Sequence, residues 1–152
     1  MTKMEMMKKH IETLLTMEVF EYCLNAEELP KEFDKALLEV AELLDEAVMS
    51  LEDVHEYLEE DEDGYEARYC EVTYPGVTLE QVQNTLETAV KMMPEDLQLL
   101  GRVAIAATEV RIIDGEILYV NPPFCGQIAN FLWQTREIPK NPQVQVKEFK
   151  EE

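Results

Sequence analysis

Apolar residues recur at helical spacing from the start of the chain: Met7, Ile11, Leu14 and Met17, then Phe20 and Leu24. The spacing predicts a first helix over about Lys3 to Leu24. Asn25-Ala26-Glu27-Glu28 then has the form of a capping box, and Pro30 suits the first turn of a second helix, where a missing N–H costs nothing. From Lys31 onward the apolar positions run Leu37, Val40, Leu44, Val48, Leu51, Val54 or His55, and Leu58. That phase holds for six turns and predicts one long helix to about Glu62, with a length of about 48 Å. Ser50-Leu51-Glu52-Asp53 is the one place where an internal cap could divide it in two.

The period changes after Asp63-Gly64. Tyr65 to Tyr74 is rich in β-formers and predicts a strand stopped by Pro75-Gly76. Thr78-Leu79-Glu80-Gln81 is a second capping box and opens a helix to about Met93; Pro94-Glu95-Asp96 opens another. The end of that stretch, Arg102 to Thr108, is compatible with helix or strand. Val110 to Ile113, Asp114-Gly115, and Ile117 to Val120 have the form of a two-residue hairpin. Phe124 to Arg136 predicts a helix built on Phe124, Ile128, Phe131 and Leu132, and Gln143 to Phe149 alternates like a last strand. The expected fold class is therefore α+β and helix-dominated. It has long amphipathic N-terminal helices, a small antiparallel sheet or hairpin, and a C-terminal helix. No repeat or linker divides the 152 residues, so a single domain is expected, with an acidic helical part (1–62) and a mixed part (65–149).

Charge alters this ordinary picture. The formal net charge is −20, and between Ala36 and Ala67 thirteen carboxylates occur without one lysine or arginine. One-signed charge repels itself and works against a compact state. Nucleic acid and anionic membrane are both polyanions and are disfavoured as direct ligands. Cys23, Cys70 and Cys125 form no CxxC pair and neither histidine adjoins them, as expected of reduced thiols in a cytoplasmic protein. No run of 18 apolar residues occurs, and the charged start Met1 to Lys9 lacks an apolar signal core.

On one long helix the outer face would carry Glu39, Glu42, Glu46, Asp53, Glu56 and Glu60, continuing into Glu59, Asp61, Glu62 and Asp63. Thirteen carboxylates over that length is roughly one per 3.7 Å, near the spacing of about 3.4 Å between phosphates of a single DNA strand. Such a face would attract the basic groove of a nucleic-acid-binding protein and speed its capture. In composition and size the chain resembles the DNA-mimic inhibitors that phages and mobile elements direct against host defence enzymes, and no motif assigns it to a family. The leading expectation is a non-enzymatic, cytoplasmic inhibitor without a cofactor. It would bind a basic nucleic-acid-binding protein through these ten residues, and a homodimer would extend the negative surface.

Two other functions are compatible with the sequence. Glu39-Val40-Ala41-Glu42 and Glu60-Asp61-Glu62-Asp63 form an ExxE and an ExxD. This pair resembles the acidic motifs of MazG-like nucleotide pyrophosphohydrolases, all-α enzymes that hold Mg²⁺ against a triphosphate. The resemblance implies a metal site at Glu39, Glu42, Glu60 and Asp63, although one continuous helix would hold the two motifs about 30 Å apart. The third function is a structural or assembly subunit. Glu59, Asp61, Asp63 and Gly64 imitate the start of an EF-hand, but Cys70 stands where a bidentate glutamate belongs. Cys125 near a helix N-terminus has neither His10 nor His55 linked to it as a base. Trp133 falls off its helix's main apolar stripe, which hints at an interface.

Overall fold

The computed structural model describes residues 1–18 and 30–150. In chain order the elements are α1 (Lys3–Leu15), α2 (Lys31–Met49), β1 (Asp53–Glu60), β2 (Glu66–Thr73), α3 (Leu79–Lys91), α4 (Glu95–Ala107), β3 (Glu109–Ile113), β4 (Glu116–Asn121), α5 (Cys125–Thr135) and β5 (Gln145–Phe149). The fold is α+β and rich in helix, as the periodicity predicts. The Asn25–Glu28 capping box, Phe20, Leu24 and Cys23 lie outside the described residues. α1 closes at Leu15, where the Thr16 hydroxyl donates to the Thr13 carbonyl at 2.8 Å.

The helices share one buried cluster. Helix α2 lies at its centre, packed against α3, α4 and α5, while α1 covers α4 and α5. Leu37, Val40, Leu44 and Val48 of α2 are buried as the spacing predicts, and Phe33 extends the stripe one turn earlier. Trp133 is part-buried and makes contacts within the chain. Its indole N–H donates to the Met17 carbonyl at 3.1 Å, and its ring takes the Arg136 guanidinium at 4.7 Å, so it fastens α5 to the segment after α1. His10 is buried edge-on to Phe33, at 6.0 Å between ring centroids.

The second half follows its local signals closely. Thr78 and Gln81 complete a reciprocal capping box at the start of α3, with bonds of 3.2 and 2.8 Å. Arg102 to Ala107 is helix, which resolves the ambiguous stretch through the burial of Val103, Ala104 and Ile105 on α4. Asp114 and Gly115 adopt φ of 52° and 81°, the left-handed pair that a two-residue hairpin requires. Strands β3 and β4 pair antiparallel and β5 joins β3 in parallel, giving the order β4-β3-β5. Val110, Ile112 and Val120 bury one face of this sheet. On the other face Glu109 lies 3.3 Å from each of Arg111, Lys147 and the Tyr119 hydroxyl. Partial burial pushes the Glu109 carboxyl upward, but these three donors outweigh it and hold the group below the usual carboxylate value.

The long helix over Lys31–Glu62 is not formed. α2 stops at Met49, where the Ser50 hydroxyl donates to the Ala47 carbonyl at 2.6 Å, so Ser50 closes one helix and does not open another. The chain then enters β1, which pairs antiparallel with β2 over eight residue pairs from Asp53↔Thr73 to Glu60↔Glu66. The acidic part therefore divides at Met49 into helix and strand. Leu51 is half-buried, but Val54 and Leu58 are 49 % and 59 % exposed, so the predicted stripe ends at Leu51.

One close approach inside the core supports a prediction. A Cβ placed on Gly101 of α4 would lie 2.9 Å from Val90 Cγ2 and 3.0 Å from Val90 Cγ1, both held by the buried core. Helix propensity alone would make Gly101→Ala stabilising by about 1 kcal/mol. The overlap between α3 and α4 reverses that sign, and urea unfolding should show a net loss of about 1–2 kcal/mol.

Candidate functional site

The β1–β2 hairpin is the feature that sets this chain apart from an ordinary helical domain. At a rise of about 3.4 Å per residue its eight rungs extend about 27 Å. Every residue from Asp53 to Val72 is exposed, on both faces of both strands. Among the described residues β1 and β2 have only each other as hydrogen-bonded strand neighbours, and β4 approaches β2 without pairing to it. The sequence folds this way because Asp61 organises the turn. Its backbone N–H donates to the Tyr65 carbonyl at 3.0 Å, and its Oδ1 accepts from the N–H groups of Asp63 at 3.0 Å and Tyr65 at 2.9 Å. Gly64 takes φ of 83°, which a residue with a side chain adopts only under strain. The EF-hand-like run Glu59–Gly64 is thus a hairpin tip, with one Asp61 oxygen engaged by the backbone.

The register assigns each side chain to a face. One face carries Asp53, His55, Tyr57 and Glu59 opposite Thr73, Glu71, Tyr69 and Ala67. The other carries Val54, Glu56, Leu58 and Glu60 opposite Val72, Cys70, Arg68 and Glu66. Tyr57 and Tyr69 stack across the strands at 5.6 Å between centroids and 23° between planes. Between Asp53 and Thr73 there are nine carboxylates and one arginine, Arg68. Glu60 and Glu66 stand directly opposite one another, a like-charge pair that works against the hairpin.

The ten acidic residues expected on one helix face are therefore distributed differently. Asp53, Glu56, Glu59, Glu60, Asp61, Glu62 and Asp63 come together on the hairpin, but on both of its faces and its tip. Glu42 and Glu46 lie exposed on α2. Glu39 borders a separate cavity of ≈ 430 Å³ between α1, α2 and the start of α4, together with Lys3 and Lys35. The ExxE of Glu39 and Glu42 is on a helix, whereas Glu60 and Asp63 belong to the hairpin tip. Among the described residues, no group of three or more histidine, cysteine, aspartate or glutamate side chains is placed to hold a metal ion.

The residues that position the hairpin are not ones that charge reasoning selects. Tyr74, directly after β2, is only 8 % exposed. Its hydroxyl donates to Glu52 Oε1 at 3.2 Å, directly before β1, and accepts from the Val120 N–H of β4 at 3.4 Å. One phenol therefore joins both feet of the arm to the three-stranded sheet. The available signal was Asp63-Gly64 flanked by two runs of β-formers, with an aromatic residue ending the second.

Among protein families, curated proteins and solved structures, none matches this chain. No helix among the described residues is long and apolar enough to cross a membrane.

Burial raises the Tyr74 pKa, the Val120 N–H opposes this, and the carboxylates of Glu52 and Asp45 raise it further, so the phenol holds its proton above the usual tyrosine value. In that range the folded chain binds more protons than the unfolded chain. The stability from this proton is complete below about pH 10 and is lost as pH rises through the elevated value. Tyr74→Phe should cost about 1–2 kcal/mol at neutral pH and shrink the alkaline decline in urea unfolding. It should also speed amide exchange in residues 53–73 while leaving the helices protected. Unchanged exchange in the arm would show that the hydroxyl does not hold it.

Proposed function

We propose that this chain is a non-enzymatic acidic binding protein that presents its β1–β2 arm to a basic site on a nucleic-acid-binding protein. The observation that carries this reading is the arm itself: a hairpin exposed on both faces, with nine carboxylates against one arginine. The change from helix to hairpin leaves the charge density intact. Nine carboxylates along about 27 Å is roughly one per 3 Å, still close to single-strand phosphate spacing. The arm is narrow enough to enter a groove and bears charge on whichever face it turns to the wall. Its exposed Tyr57–Tyr69 stack offers ring surface to the stems and charged heads of lysine or arginine, a contact that adds to the charge attraction.

Such a protein would compete with nucleic acid for the same cations and would act in the cytoplasm, in the manner of an anti-defence inhibitor. Two copies of the arm repel one another, so a homodimer, where one forms, would use another surface. The alternative metal-dependent hydrolysis draws no support from the arrangement, because its second motif occupies the hairpin tip.

Summed charge and specific chemistry respond differently to substitution. Each exposed ion pair contributes about 0.5 kcal/mol, so Glu56→Gln alone should weaken partner binding about 2-fold. Changing Glu56, Glu59, Glu60, Glu62 and Asp63 together to their amides should weaken it about 70-fold. The measurement is capture from native-host lysate at 50 and 500 mM salt. A basic nucleic-acid-binding protein should be held at low salt, released at high salt or by duplex DNA, and lost by the five-fold variant. Equal recovery by that variant would overturn the reading.

A further inference from the structure

The last residues of β2, Glu71 to Thr73, border a groove. This groove, of ≈ 850 Å³, runs between Glu71–Thr78 on one side and the β3–β4 turn, Ile113–Leu118, on the other. Val72, Val77, Ile117 and Leu118 supply apolar walls, and Glu71, Asp114 and Glu116 supply the charge. No lysine or arginine lines the groove among the described residues.

Backbone geometry defines what this wall can take. The Asp61 N–H donates to the Tyr65 carbonyl across the turn, so by alternation the pairs Glu60↔Glu66, Leu58↔Arg68, Glu56↔Cys70 and Val54↔Val72 do not bond to each other. Arg68, Cys70 and Val72 consequently turn their N–H and C=O groups outward from β2. An exposed row of unpaired backbone groups is a template for another strand. Natural edge strands are commonly blunted by lysine, proline or a bulge. The outer edge of β2 has no proline and no bulge, and its lone cation, Arg68, lies beyond the groove.

We propose that an extended, lysine- or arginine-bearing segment of a partner protein adds to the outer edge of β2 at Cys70 and Val72 and runs from Val72 into this groove. Its backbone completes the Cys70 and Val72 hydrogen bonds, one set of side chains lies against Val77, Ile117 and Leu118, and the alternate set meets Glu71 and Glu116. The charge selects this occupant over a second copy of the chain, whose own arm has the same acidic sign. The inference rests on the acidic-arm reading and makes it specific: the partner is held by backbone pairing as well as by charge.

The test uses two synthetic peptides with the same charge. One is an eight-residue peptide alternating lysine with valine or threonine, and the other is the same peptide N-methylated at every residue. Each is titrated into the full chain at 50 mM salt and followed by fluorescence anisotropy and amide exchange. The unmethylated peptide should bind about tenfold tighter or better, since several backbone hydrogen bonds are at stake. It should also slow exchange at Cys70 and Val72. Equal affinity of the two peptides would overturn strand addition and leave the acidic-arm reading standing. Binding by neither would overturn both.

Discussion

One hydroxyl at its base joins the acidic arm to the body. A two-stranded hairpin is marginal on its own in water, because two strands bury too little to offset the entropy of ordering them. Here neither face of the arm packs on the body, and like charge along it adds repulsion. What compensates is local: the Asp61-organised tip at one end and the Tyr74 phenol at the other. Tyr74 bonds to Glu52 and to the Val120 N–H, so the two feet of the hairpin and the edge of the β4-β3-β5 sheet meet in one buried place. The register from Asp53↔Thr73 to Glu60↔Glu66 is thereby clamped at both ends.

The body tolerates the arm because it is conventional. Its core is a continuous apolar cluster around α2, and three of its cations hold structure together. Arg136 reaches the Leu15 carbonyl and the Trp133 ring, and Arg111 lies over both Tyr119 and Phe149. Lys147 joins Arg111 on Glu109. Within the arm Arg68 alone opposes nine carboxylates, so its field is strongly negative. At a Debye length of about 8 Å, carboxylates spaced by roughly 3 Å act together and are not screened apart.

Much of this fold could be read from the chain wherever local chemistry and tertiary packing agree. Thr78 with Gln81, Pro94, and Asp114-Gly115 each mark a boundary through a backbone requirement that the structure then meets. The acidic segment could not be read in this way. Val54 and Leu58 continue the phase of α2, but a spacing of four is even, so it also places both residues on one face of a strand. Periodicity over so short a run does not separate the two, and the acids mislead further, since glutamate favours helix. The arm's charge was legible, and so was its second strand, predicted over Tyr65 to Tyr74; its first strand was not. Tyr74, which no charge count selects, was legible only as the last aromatic residue of a predicted strand.

Strand geometry changes what the acids can do. On a helix they would form one stripe, and a partner would have to approach from that side. On a hairpin, alternation sends Asp53 and Glu59 to one face and Glu56 and Glu60 to the other, while the backbone between them keeps open edges. A helix has no such edge, because its hydrogen bonds are satisfied internally. Acidity on a hairpin therefore does two things at once. Under the proposed function it draws in cationic partners, and like charge opposes pairing between the edges of two such chains. Most edge strands are blunted with lysine, which would repel a basic partner; carboxylates protect the edge against its own kind and leave it open to the opposite charge.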